Sequence, residues 1–242
     1  MKHPLGINVL DAARSRISKI FDEFENISVS FSGGKDSSVM LHLVMDEAVK
    51  RRVKVSVLMI DLEAHYKTHI NHAIKMFEKY QDHIIPYWVC LPISLRNAVS
   101  VYEPKWKCWD PDVKGLWVRN PPKFAITDVK FFDFFRVGME FEDFVSDFNR
   151  WLAKNKKTAI FIGIRADESY NRYLKVKVKK NREFLKDPTG KDLMWALKQK
   201  SAVGQEIYSV HPIYDWRTED IWRYNAKFKA EYAEIYDLMQ KA

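Results

Sequence analysis

Two cysteines, Cys90 and Cys108, are all that this chain of 242 residues carries. A pair cannot build a disulfide framework or a four-thiolate cluster, so no iron–sulfur cluster is expected and a cytoplasmic setting is the simplest expectation. Long apolar runs are missing as well. No stretch reaches the roughly 18 residues that a membrane helix needs, so no membrane partner is expected. The start, MKHPLGINVLDAARSRISKIF, reads as an amphipathic helix after a short arm and lacks the continuous apolar region of a signal peptide. Internal repeats and low-complexity tracts are absent. So is any acidic excess: the formal net charge is +8. Nucleotide phosphates, nucleic acid and a merely solubilising surface are all compatible with that sign.

What is present is an alternation. Apolar, β-branched runs at 27–31, 53–60, 84–91, 158–163 and 206–213 predict buried strands, and helical spacing fills 8–24, 36–50, 65–80, 140–154 and 218–240. Strand–helix alternation of this length implies parallel crossovers. The expected fold is α/β and Rossmann-like: a doubly wound, mainly parallel five-stranded sheet with helices on both faces, in a single domain over 1–242. In such sheets the ligand lies beyond the carboxyl ends of the strands. An aromatic-rich insertion, about 101–137, breaks the rhythm with four prolines and three tryptophans before FFDFF. It is too long for an ordinary connection. A lid over the site and a surface insertion with its own aromatic core are both open readings. The segment about 218–242 keeps helical spacing with no Gly, Asn or Pro to close it, so the helix ends at the terminus or the chain is shortened relative to longer relatives.

Chemistry concentrates at the first strand–helix junction, ISVSFSGGKDSSVMLHLV. Gly33 and Gly34 allow a sharp turn that exposes successive N–H groups, and the following helix points its positive end into the same space. Ser32, Ser37 and Ser38 add hydroxyls, and Lys35 adds a full charge. Asp36 can cap the helix or help hold magnesium carried by a polyphosphate. The pattern is neither Walker A nor G-x-G-x-x-G. A plain turn with an N-cap is the alternative.

S-G-G-K-D-S after a strand resembles the PP-loop of the ATP pyrophosphatase (adenine nucleotide alpha hydrolase-like) superfamily. Gly163-Ile164-Arg165-Ala166-Asp167-Glu168-Ser169 resembles the G-x-R-x-x-E-S stretch of phosphoadenosine phosphosulfate (PAPS) reductases and their relatives. Pro212, Ile213, Trp216, Asp220, Ile221 and Trp222 resemble a third stretch of that family. The resemblance spans 27–222 and implies an adenine nucleotide, ATP or PAPS, with Mg²⁺, bound by Ser32–Ser38, Asp61, Gly163 and Arg165. Lys35, Asp36 and Arg165 are then the catalytic candidates. Arg165, just past a strand end, can clamp a phosphate or sulfate, or else pair with Asp167 or Glu168. Trp216 and Trp222 read as architectural, packing a helix on the sheet.

Other candidates come from the residues alone. Asp61 and Glu63 follow the second strand, where a carboxylate can meet ribose hydroxyls, hold a metal or cap the next helix. His65, His69 and His72 share one helical face, a zinc face with Glu63 or three ordinary surface histidines. Cys90 lies in a strand-like run and reads as an inert core thiol. Cys108, between Lys107 and Trp109 with Lys105 nearby, is the better nucleophile, because those lysines would lower its pKa. Trp106, Trp109, Trp117 and Arg119 in the insertion, with Arg172 and Lys175 in the basic strip 172–182, are candidate lid or second-substrate residues. That strip, with Tyr173 at its start, suits the phosphates of a second substrate, nucleic acid included, or a solvated lid.

The reaction stays open among four readings. Adenylyl transfer with pyrophosphate release needs no enzyme nucleophile. Sulfonucleotide reduction needs a thiolate, for which the family uses a C-terminal cysteine that this sequence lacks after Trp222. A nucleotide-sensing regulator would act through a protein partner or homo-oligomer. A nucleic-acid modifier would use the basic strip.

Overall fold

The computed structural model describes residues 8–169, 172, 174, 182–200 and 204–241. After helix α1 (Val9–Glu23), the chain alternates β1 (Asn26–Ser30), α2 (Lys35–Arg51), β2 (Val55–Ile60), α3 (Lys67–Lys79) and β3 (Ile84–Val89). A small antiparallel pair follows, β4 (Ser94–Arg96) with β5 (Lys105–Lys107). Then come α4 (Phe141–Ala153), β6 (Thr158–Ile162), β7 (Phe184–Lys186), β8 (Asp192–Lys198), β9 (Ile207–Val210), α5 (Thr218–Phe228) and α6 (Ile235–Lys241). Among the described residues the main sheet runs β3-β2-β1-β6-β9-β8-β7.

The five strands expected from apolar runs are β1, β2, β3, β6 and β9, and all pair in parallel. The sheet, however, has seven strands. β7 and β8 add an antiparallel hairpin on the β9 edge. Its turn is Asp187-Pro188-Thr189-Gly190, where the Asp187 carboxylate accepts from the N–H groups of Thr189 and Lys191. β7 is only three residues long, and in β8 the apolar run Leu193–Leu197 lies between Asp192 and Lys198 without the β-branched residues of the parallel strands.

Adjacent side chains of a strand face opposite ways. Trp88 of β3 meets Phe77 of α3, and Tyr87 meets Phe148 and Trp151 of α4. Helices therefore cover both faces. The strand order leaves β1 in two directions, through β2 to β3 and through β6 to β9. That reversal opens a crevice at the carboxyl ends of β1 and β6.

The helix expected over 218–240 is broken. Lys229 ends α5 in the left-handed region with φ 49°, and Ala230 N–H returns to the Asn225 carbonyl. The chain turns back because its later side chains find tertiary partners: Ala233 is buried and Tyr236 reaches the glycine turn. Among the described residues no helix is long and apolar enough to cross a membrane.

Candidate functional site

The turn after β1 lies in the crevice. Gly33 has φ 74°, and a methyl group there would stand 2.6 Å from His69 Nε2, so neither the conformation nor the space admits a side chain. His69 Nε2 itself lies 2.6 Å from the Ser32 carbonyl. Gly163, at the end of β6, faces the same turn. A Cβ there would meet Ser37 Cα and N at 3.0 Å, so the bare glycine lets two stretches of backbone touch. Gly34 is the N-cap of α2 and brings no side chain to the first-turn N–H groups. The serine hydroxyls work inside the loop: Ser37 Oγ donates to the Gly34 carbonyl and lies 3.0 Å from Ser32 Oγ, and Ser38 Oγ lies 2.8 Å from His72 Nε2.

Asp36 is buried and does not cap the helix. Its Oδ1 accepts from Arg165 Nε at 2.8 Å and its Oδ2 from Lys35 Nζ at 2.9 Å. Arg165 is 2% exposed. Its guanidinium pairs with Asp36 across 129 residues, not with Asp167 or Glu168 at the surface. Glu168 instead accepts from the Arg165 backbone N–H and pairs with the Arg172 side chain. One group of Arg165, Nη1, is buried with no partner among the described residues. A buried donor left unmet costs about 1–3 kcal/mol, so such a group calls for a ligand or a water. Lys35, Asp36, Arg165 and Gly163 thus converge, although they come from distant parts of the chain.

The match to known proteins fits this arrangement. The sequence model of the phosphoadenosine phosphosulfate reductase domain covers residues 26–92 and 140–239. The chain belongs to that family. It is 42% identical over its whole length to the uncharacterized protein YbdN of Escherichia coli, and spans 57% of that relative. It is 24% identical over 97% of its length to sulfate adenylyltransferase subunit 2 of Streptomyces lavendulae, of which it spans 65%. Among solved structures, the fold is shared with PAPS reductase from Candida auris in a phosphate complex, at TM-score 0.50 and 14% identity over 94% of this chain and 84% of that one. FMN adenylyltransferase from Candida glabrata shares it at TM-score 0.50 and 19% identity, over 94% of this chain and 57% of that one.

The PAPS reductase model skips residues 93–139, which hold the aromatic insertion. Its footing is nevertheless in the matched frame. Glu63, itself at φ 65°, accepts from the backbone N–H groups of Trp109 and Val118. Trp109 Nε1 donates to the Asp61 carbonyl at 2.6 Å, and Trp117 Nε1 to the Asp110 carbonyl. Arg119 packs over the Trp109 ring and pairs with Asp61. Asp61 also accepts from Glu63 N–H and Trp88 Nε1. Asp61 is fully buried and serves as a structural hub, accepting three hydrogen bonds within the fold. Burial pushes the Asp61 carboxyl up, but the His65 ring 3.6 Å away and the hydrogen bonds from Arg119 and Trp88 outweigh it and hold the group at about 2. Among the described residues Arg119 Nε and Nη1 have no hydrogen-bond partner.

The rest of the insertion adds its aromatic rings to the main core. Phe132 is 1% exposed and touches Phe144, Phe148 and Trp151 of α4. Trp106 is half-buried on β5 and packs on the main core. Cys108 reverses the expectation placed on it. Lys107 pairs with Asp110 and Lys105 with Glu140, while Cys108 is fully buried and donates to the Leu91 and Ile93 carbonyls. Burial pushes its thiol up to about 11. Cys90 is buried too, and burial raises it further.

The three histidines have other uses than a zinc face. His65 stacks on His69, and His69 and His72 reach the loop. Burial lowers His69 and brings His72 down to about 4. Among the described residues no His, Cys, Asp or Glu group has the arrangement of a metal site. Tyr173 and Lys175 of the basic strip lie outside the described residues.

One residue carried no reading in the sequence, and another differs from its reading. Tyr236 accepts a hydrogen bond from the Lys35 backbone N–H at 3.0 Å. Trp222, expected to pack a helix on the sheet, instead supports Tyr232 and Tyr236. Trp216 does take the architectural role, buried at 1% with Nε1 on the Val9 carbonyl.

Proposed function

We propose that the chain binds the polyphosphate of ATP at Ser32–Ser38 and transfers the adenylyl group to an acceptor oxygen. The acceptor attacks the α-phosphorus, the bond to the β-phosphate oxygen breaks, and pyrophosphate leaves. Lys35 and the Nη1 group of Arg165 stand where the leaving charge grows, and the α2 N-terminus adds its positive end. Asp36 orients both cations. Because Lys35 and Arg165 already take both its oxygens, Asp36 does not fit as a resident magnesium ligand. Magnesium would arrive on the nucleotide, as part of the substrate.

The observation that carries adenylyl transfer over sulfonucleotide reduction is the burial of both thiols. Reduction at sulfur needs an accessible thiolate, and Cys108 is enclosed with its pKa raised. The similarity to a sulfate adenylyltransferase subunit supports the same choice.

Calorimetry with ATP, AMP, adenosine phosphosulfate and PAPS, each with and without Mg²⁺, tests the reading. Magnesium-dependent ATP binding is expected, weakened about tenfold or more in Lys35→Ala, as for loss of a charge-assisted contact of about 1.5–3 kcal/mol. Preferential PAPS binding, with sulfite released in the presence of a thiol donor, would overturn it.

A further inference from the structure

We infer that Tyr236 plugs the phosphate seat from within the chain, so that a nucleotide must expel α6 to bind. The inference rests on the nucleotide reading above. A first-turn N–H of a helix has no partner inside the helix and is where an anion docks. The Lys35 N–H is such a group, and the phenol oxygen of Tyr236 already takes it at 3.0 Å. A methyl group built on Gly34 would lie 3.6 Å from the same hydroxyl, so Tyr236 also occupies the space over the second glycine. The Lys35 ammonium stands 5.9 Å from the centre of its ring. An uncharged oxygen thus holds the place that a phosphate oxygen would fill.

The element that carries the plug is built to leave. None of the seven residues of α6 is buried, and Leu238 and Met239 are 46% and 61% exposed. A groove of about 550 Å³ separates the segment from α3, lined by Thr68, His72 and Lys75 on one side and Glu231, Tyr232 and Asp237 on the other. Apart from the Tyr236 contacts with Lys35, α6 is held from within the same C-terminal segment: the Trp222 ring against Tyr232 and Tyr236, and the Tyr232 hydroxyl donating to Asp237. Releasing it leaves the sheet and its crossover helices intact, as expected of an element with few buried contacts. A seat open only part of the time binds more weakly by the fraction that is open.

Tyr236→Phe removes the oxygen and keeps the ring on Trp222. Calorimetry with ATP and with pyrophosphate alone should show both ligands binding the variant about three- to tenfold tighter than the natural chain. Hydrogen exchange should rise across 235–241 when ATP is added to the natural chain. Unchanged affinity would reduce the contact to packing. Weaker binding would make Tyr236 a direct ligand of the phosphate. ATP binding without faster exchange at 235–241 would show that α6 stays in place. Each of these overturns the plug while nucleotide binding stands. If neither protein binds ATP or pyrophosphate, the nucleotide reading fails and the plug falls with it.

Discussion

Two arginines end against buried aspartates at the carboxyl edge of the sheet: Arg165 on Asp36 and Arg119 on Asp61. The pairs look alike, and their surroundings do not. Around Asp36 two cations share one carboxylate, which leaves one formal positive charge over at the glycine turn. Around Asp61 one cation faces two carboxylates, Asp61 and Glu63, and those are saturated by backbone N–H groups and an indole. The first pair is a charge surplus beside the first turn of α2, which the proposed function assigns to a polyphosphate. The second is an anchor, where polar groups are spent on holding the insertion. Resemblance of parts does not make a second site. What decides is the charge left when the partners are counted.

The largest expected effect tests the first pair. Asp36→Ala strands a guanidinium that is 2% exposed. Removing one partner of a buried pair costs about 3–5 kcal/mol. Urea unfolding should show that loss, and adding Arg165→Met should recover part of it. A loss below about 1 kcal/mol would mean that Arg165 reaches water and that the contrast with Arg119 is false.

The second pair should show in acid. The Asp61 pKa in the folded chain, about 2, lies below its ordinary 3.8. The unfolded chain therefore binds the proton first. The stabilisation, about 2 kcal/mol, is full above about pH 4 and is lost as pH falls towards 2. Arg119→Met should flatten that part of the stability profile. His72, pushed down by burial from 6.5 to about 4, acts in a separate window: its contribution is full above about pH 6.5 and fades as pH falls to 4. An acid profile that Arg119→Met leaves unaltered would deny Arg119 its anchoring role.

The smallest effect concerns Cys108→Ser. A hydroxyl can donate to either of the same carbonyls, so a stability change within about 1 kcal/mol is expected. ATP binding should be unchanged in calorimetry. A sulfite-releasing activity that vanished with this substitution would restore the thiol to the chemistry.

The parallel frame and the glycine turn were legible because their signals are local. Strands β1, β2, β3, β6 and β9 are continuous apolar runs, and S-G-G-K-D-S sits at a single junction. The tie of Arg165 to Asp36 was not legible, since it joins residues 129 apart through the contact of β6 with the head of α2. The burial of Cys108 was half legible. In Lys105-Trp106-Lys107-Cys108 the lysines alternate with Trp106 and Cys108, so a strand turns the charges one way and the thiol the other. Proximity in sequence was mistaken for proximity in space. The break at Lys229 has no local cause. It follows from the seats that Ala233 and Tyr236 find elsewhere. The hairpin of β7 and β8 did carry signals, the turn Asp187-Pro188-Thr189-Gly190 and the apolar run Leu193–Leu197, but β7 has three residues and β8 has no β-branched one.

Glu63 grips the 93–139 segment by main-chain amides, at Trp109 and Val118, and an amide is the same whatever residue carries it. Those two grips therefore hold whatever the side chain, whereas Cys108, Trp109, Arg119 and Phe132 hold the stretch through their own. The frame works as a socket for that segment, and the segment's outward positions, such as Tyr102 and Leu116, are the ones free to vary.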